Sequence, residues 1–134
     1  MRCAIFNRYF FIAIICFSFH SCGDISAYKK KISGSYYLLQ SEMEPGLHIS
    51  YKISDNSFIG RIPADVKEYC IVKDSLLIAK VQSDSNVKVY VLNMKADDGY
   101  VDQNIYLVDI FDTTSFELWR KKNTLRVDFI KVKQ

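Results

Sequence analysis

Few side chains in this 134-residue chain are equipped for chemistry, and their neighbours decide what each could do. His48 stands in Leu47-His48-Ile49-Ser50-Tyr51-Lys52-Ile53, a strict alternation that places it on the polar face of a strand. A zinc site needs further His or Cys at short spacing, and a general base needs a nucleophile beside it. Neither accompanies His48 in the linear order, so a surface histidine is the expectation. Cys70 lies in the apolar run Tyr69-Cys70-Ile71-Val72, where a thiol packs as a small hydrophobe. No cation is clearly placed to activate it. Asp97-Asp98-Gly99 with Asp102 offers oxygens to calcium but lacks the full spacing of a calcium loop, and reads as a solvated turn. No metal, no cofactor and no catalytic residue is expected. Tyr100 is the exception in that turn. Neither periodicity nor a helix cap requires an aromatic there, and connections carry function more often than the strands they join, so Tyr100 is a candidate binding residue.

Cys22 is informative for a different reason. Arg2 and Arg8 precede a run from Tyr9 to Phe19 without charge, and Phe19-His20-Ser21 leads into Cys22-Gly23-Asp24. A basic start, a short apolar run and a small residue before the cut form an export signal, and the run is well short of the ~20 residues of a membrane span. The arrangement resembles the signal of a bacterial lipoprotein, in which the Cys after the cleavage point is acylated. Ser21 fits that pattern, Phe19 stands where Leu is usual, and His20 departs from it. The resemblance implies residues 1–21 as a lipoprotein signal peptide, Cys22 as the lipidation site carrying palmitate-type chains, and residues 22–33 as a lipidated tether. Gly23, rather than an acid, after the Cys implies delivery to the outer membrane of a diderm bacterium, with the domain on the periplasmic face.

Removing residues 1–21 takes Arg2 and Arg8 away, so the formal net charge falls from +3 to +1. That is no electrostatic footprint for nucleic acid. Residues 34–134 form one globular domain by length, large enough to bury roughly two-thirds of its unfolded surface. Cys3 and Cys16 leave with the signal and Cys22 is acylated, so Cys70 is the one remaining thiol and the domain depends on packing.

The elements come from alternation and turn residues. Strands are expected at Tyr36–Leu39, Leu47–Ile53, Ser57–Ile62, Val66–Val72, Leu76–Val81, Val87–Met94 and Ile105–Phe111, with turns at Asp55-Asn56, Lys73-Asp74-Ser75, Ser83–Asn86 and Ala96–Gly99. Thr114-Ser115-Phe116-Glu117 has the form of a capping box, and Phe116 and Trp119 follow at helical spacing with Arg120, Lys121 and Lys122 near the end. The fold expected is α+β and mainly β: an antiparallel meander sheet with a helix over 114–123 packed on it through Phe116 and Trp119, and a final strand at Leu125–Val132.

The order of Tyr36-Tyr37-Leu38, Ile62-Pro63-Ala64-Asp65-Val66, Tyr69, Ile78-Ala79-Lys80, Tyr90 and Phe116-Glu117-Leu118-Trp119-Arg120-Lys121-Lys122 is similar to small lipoproteins of the domain-of-unknown-function family three-nine-nine-seven. That family usually places a Gly-Pro pair and an aromatic before the helix, where this chain has Asp112-Thr113-Thr114. The resemblance implies a lipoprotein of this fold and no particular reaction. The functional expectation is a membrane-attached, non-catalytic module of the cell envelope that binds a protein or polymer, not nucleic acid. The alternatives are a small envelope hydrolase or a periplasmic inhibitor or immunity-type protein.

Overall fold

A computed structural model describes residues 28–40 and 45–133. The signal segment, Cys22 and the first part of the tether lie outside the described residues. Among the described residues, nine strands form two antiparallel sheets, with a helix between the eighth strand and the last, which is the mainly β architecture expected.

The first sheet is a meander of β1 (Tyr28–Ser33), β2 (Tyr36–Gln40), β3 (Leu47–Ser54) and β4 (Ser57–Ile62), in that order. Residues 28–33 were expected in the tether, but Lys29, Lys30 and Lys31 pair with Leu39, Leu38 and Tyr37 as an edge strand. Lysines suit an edge because they discourage pairing with a further chain. β3 keeps its alternation, sending Leu47, Ile49 and Tyr51 inward and His48, Ser50 and Lys52 to the other face, where Ser50 is nonetheless buried. Between β3 and β4 the pairing passes from Ser50↔Gly60 to Ile49↔Ile62, so Arg61 is an extra residue in a β-bulge. Arg61 and Ile62 are both buried as a result.

The second sheet has the order β8-β7-β6-β5-β9, from β5 (Val66–Val72), β6 (Leu76–Ser83), β7 (Asn86–Asn93), β8 (Leu107–Asp112) and β9 (Ile130–Lys131). The β5–β6 turn uses Lys73 and Asp74 at φ 52° and 53°, the left-handed pair whose twist matches a tight hairpin. Its middle strands are buried on both faces, as the unbroken run Leu77-Ile78-Ala79 requires. One face packs on the first sheet in a core that includes Leu38, Ile49, Val66, Leu77, Ala79 and Leu92. The other face, with Cys70, Ile78, Val89 and Val91, meets the helix.

A short helix α1 (Gln103–Tyr106) takes the place of the start of the expected strand at Ile105, and β8 begins at Leu107. Helix α2 (Thr113–Lys122) lies within a residue of the expected span but begins differently. Asp112 caps it, its Oδ1 accepting from the Ser115 amide at 2.7 Å. Glu117, expected to close a capping box with Thr114, instead pairs with Arg120 one turn on. Phe116 is 1% exposed, and Trp119 is half-buried against Phe111 with ring centroids 5.3 Å apart. The helix thus packs on the second sheet, over β7 and β8, with Phe116 reaching Cys70 and Ile78. The expected final strand shrinks to Ile130–Lys131, because only Ile130 and Lys131 pair with β5, opposite Tyr69 and Glu68.

Candidate functional site

Where the two sheets meet, the bulge turns Arg61 onto Asp97, a residue of the connection between β7 and α1. The Arg61 Nε meets Asp97 Oδ2 at 2.7 Å and Nη2 meets Oδ1 at 2.9 Å, a two-pronged pair whose side chains are 3% and 0% exposed. Tyr36 on β2 donates its hydroxyl to Asp97 Oδ2 at 2.6 Å, and the Gly99 amide donates to Oδ1 at 2.9 Å. The Tyr106 ring lies 4.2 Å from the Arg61 guanidinium carbon, a stacked cation–π contact. Four donors therefore converge on one carboxylate, and three segments of chain are tied together.

The electrostatics follow from that geometry. Burial alone would raise the Asp97 pKa, but hydrogen bonds from Arg61, Tyr36 and the Gly99 amide together hold it below the ordinary carboxylate range. Burial, then the bond to Asp97, pushes the Tyr36 phenol far above its usual value. Arg61 is raised by its hydrogen bonds to Asp97 and stays charged. Asp97 was expected in a solvated turn. The structure corrects that, and its two oxygens are both occupied by protein donors. No group of three or more His, Cys, Asp or Glu side chains able to hold a metal ion occurs among the described residues.

The next residues repeat the device at the surface. Asp98 Oδ1 accepts from the amides of Tyr100 and Val101 at 2.9 and 3.1 Å, a side chain standing in for a backbone turn. Gly99 takes φ +91°, and a Cβ there would lie 2.8 Å from the Tyr51 ring, so glycine lets the loop press onto the first sheet. Tyr100, at the top of this clamped loop, is 78% exposed. Large aromatics usually bury their surface, and this one is held out in solvent by its own backbone.

The other chemistry-bearing residues are not brought together. His48 is half-buried rather than surface-exposed, lining a cavity of about 480 Å³ with Ser50, Phe58, Arg61, Gln103 and Tyr106. Cys70 lies beneath α2 on the far face of the second sheet, where burial and then the nearby Asp128 push its thiol up to about 12. A larger groove of about 920 Å³ runs between Ser85–Lys88 and Ile110–Ser115, where Asp112 is committed to the helix cap.

The partnership of Tyr36, Arg61 and Asp97 has no motif in the sequence. Alternation offers no signal for it: Ile59, in the same phase as Arg61, is exposed, and Arg61 is turned inward by the bulge. The partner lies 36 residues away, beyond the reach of periodicity.

No protein-family model matches the chain, and no curated protein or solved structure matches it either.

Proposed function

We propose that this chain is a lipid-anchored protein of the cell envelope, held at the outer membrane through Cys22, that binds a protein or polymer partner and catalyses no reaction. The observation that carries the reading is the clamped display of Tyr100. Four donors on Asp97 and two on Asp98 over-determine the loop, so little conformational freedom is lost when its aromatic is covered. Tyrosine is well suited to the centre of an interface, because it offers rigid area with a polar tip. An inhibitor or immunity-type role falls within the same class.

The resemblance to the family three-nine-nine-seven supports this reading through the residues already quoted, and the sequence around Cys22 supports the anchor. A hydrolase remains the second reading, on one observation. His48 and Ser50 sit on the same face of β3 at the rim of a cavity.

Cys22→Ala tests the anchor: incorporation of radiolabelled palmitate should vanish, and persistent labelling would refute it. Tyr100→Ala tests the binding. The variant should keep its melting temperature and lose its neighbour in crosslinking of intact cells. A retained neighbour would remove Tyr100 from the interface.

A further inference from the structure

The outer face of the first sheet supplies no residue to either apolar core, although Ser50 on it is buried and Leu39, His48 and Phe58 share a cavity with Gln103 and Tyr106; its composition is one-sided. β1 to β4 contain Lys29, Lys30, Lys31, Lys52 and Arg61, and no Asp or Glu. The register sends Lys29, Lys31 and Lys52 to the outer face with Tyr37, Leu39, His48 and Phe58. Tyr37 and Phe58 meet edge to face at 5.5 Å. The Lys29 ammonium lies 5.1 Å from the Tyr37 ring and 4.8 Å from Phe58, and that of Lys52 lies 5.8 Å from Tyr37. Asp55 in the β3–β4 turn, 3.6 Å from Lys52, and Glu42 and Glu44 in the β2–β3 connection are the acids nearest in sequence.

Lysines grouped around half-buried aromatic rings suit the boundary of a bilayer. The rings settle at headgroup depth and the ammonium groups meet phosphates. The chain's own course favours the same surface. Cys22 precedes β1 by six residues, so a lipid on that cysteine keeps the start of β1 within about 20 Å of the membrane and Lys31 within about 30 Å.

We propose that the outer face of the first sheet, through Lys29, Lys31, Lys52, Tyr37 and Phe58, rests on anionic phospholipid headgroups of the membrane that holds the chain. The domain then has one orientation relative to the bilayer. This rests on the anchor at Cys22.

The test uses the full chain, purified from membranes and reconstituted into vesicles of phosphatidylcholine alone or mixed equally with phosphatidylglycerol. A water-soluble amine-acylating reagent then reads each lysine by mass spectrometry. Lys29, Lys31 and Lys52 should be acylated at least ~5-fold more slowly on the anionic vesicles, since each lysine at such a surface shifts the docked population by about that factor. Lys73, Lys95, Lys121 and Lys122 should react equally on both, and high salt should remove the protection. The double variant Lys29→Glu, Lys31→Glu changes exposed side chains and should remove the protection of Lys52. Equal acylation on the two vesicles, protection of Lys121 and Lys122 instead, or protection of Lys52 surviving the double variant would overturn the docking. Flotation with phosphatidylcholine vesicles reads the anchor separately. Its loss would refute the Cys22 reading and the docking with it, whereas flotation with equal acylation would refute the docking alone.

Discussion

Replacing Asp97 by asparagine keeps its shape and removes its charge, leaving the Arg61 guanidinium buried without a counter-ion. Both side chains are essentially inaccessible, so solvent cannot compensate. Breaking such a pair from one side costs about 3–5 kcal/mol. A domain of this size has ~5–15 kcal/mol in total, so the loss is a large share of its stability. The melting temperature should fall by upwards of roughly 10 °C, and the urea midpoint should drop with little change in slope. Arg61→Met should cost a similar amount. The Arg61→Met, Asp97→Asn double variant should cost less than the two singles together, because each single leaves a different orphan. The acid limb provides an independent check. Asp97 binds its proton less readily folded than unfolded, so it stabilises the fold above the unfolded carboxylate value of about 4, and that contribution is lost as pH falls through the depressed folded value. The Asn variant should lack this part of the acid transition. An Asp97→Asn protein that melts with the wild type would show that the lock contributes nothing, and the clamped-loop argument would lose its foundation.

Gly99→Ala should disturb the loop more than the fold. It places a methyl group 2.8 Å from the Tyr51 ring at φ +91°, should cost about 1–3 kcal/mol by denaturation, and should weaken partner crosslinking through Tyr100. An unchanged crosslink would mean that loop position is unimportant. Phe116→Ala should cost about 3–5 kcal/mol, and Trp119→Ala less, since its ring is only half-buried; the reverse order in urea titrations would contradict the packing described. Cys70, with its thiol pushed up to about 12, should react with iodoacetamide at pH 8 only after denaturation, and rapid labelling of the native protein would place it elsewhere.

Most strands were legible because their residues carried the pattern directly. Leu47–Ile53 alternates and puts its apolar residues on one face, while Leu77-Ile78-Ala79 does not alternate and is apolar and covered on both. That contrast already separates a one-sided sheet from a two-sided one, although strand alternation by itself does not distinguish one meander sheet from two. The β1 edge was obscured by Lys29-Lys30-Lys31, poor strand formers whose pairing depends on Tyr37 and Leu39 across the ladder. The helix span was legible through Phe116 and Trp119, but its cap was misplaced because Asp112 and Thr114 both offer a capping oxygen and only the backbone decides. Tyr100 stood out as an aromatic without a structural task. What holds its loop was hidden, since the bulge at Arg61 and the carboxylate it reaches come from separate stretches of chain.

The most direct test of the account is the affinity of the crosslinked neighbour for the wild-type, Tyr100→Ala and His48→Ala proteins, measured alongside their melting temperatures. Tyr100→Ala should weaken binding by roughly 30-fold, the loss of a central tyrosine anchor worth ~2 kcal/mol, with melting unchanged. His48→Ala should bind as the wild type does. A measurable hydrolysis of envelope material abolished by His48→Ala, in a protein that melts normally and whose binding ignores Tyr100, would contradict the account and establish an enzyme in its place.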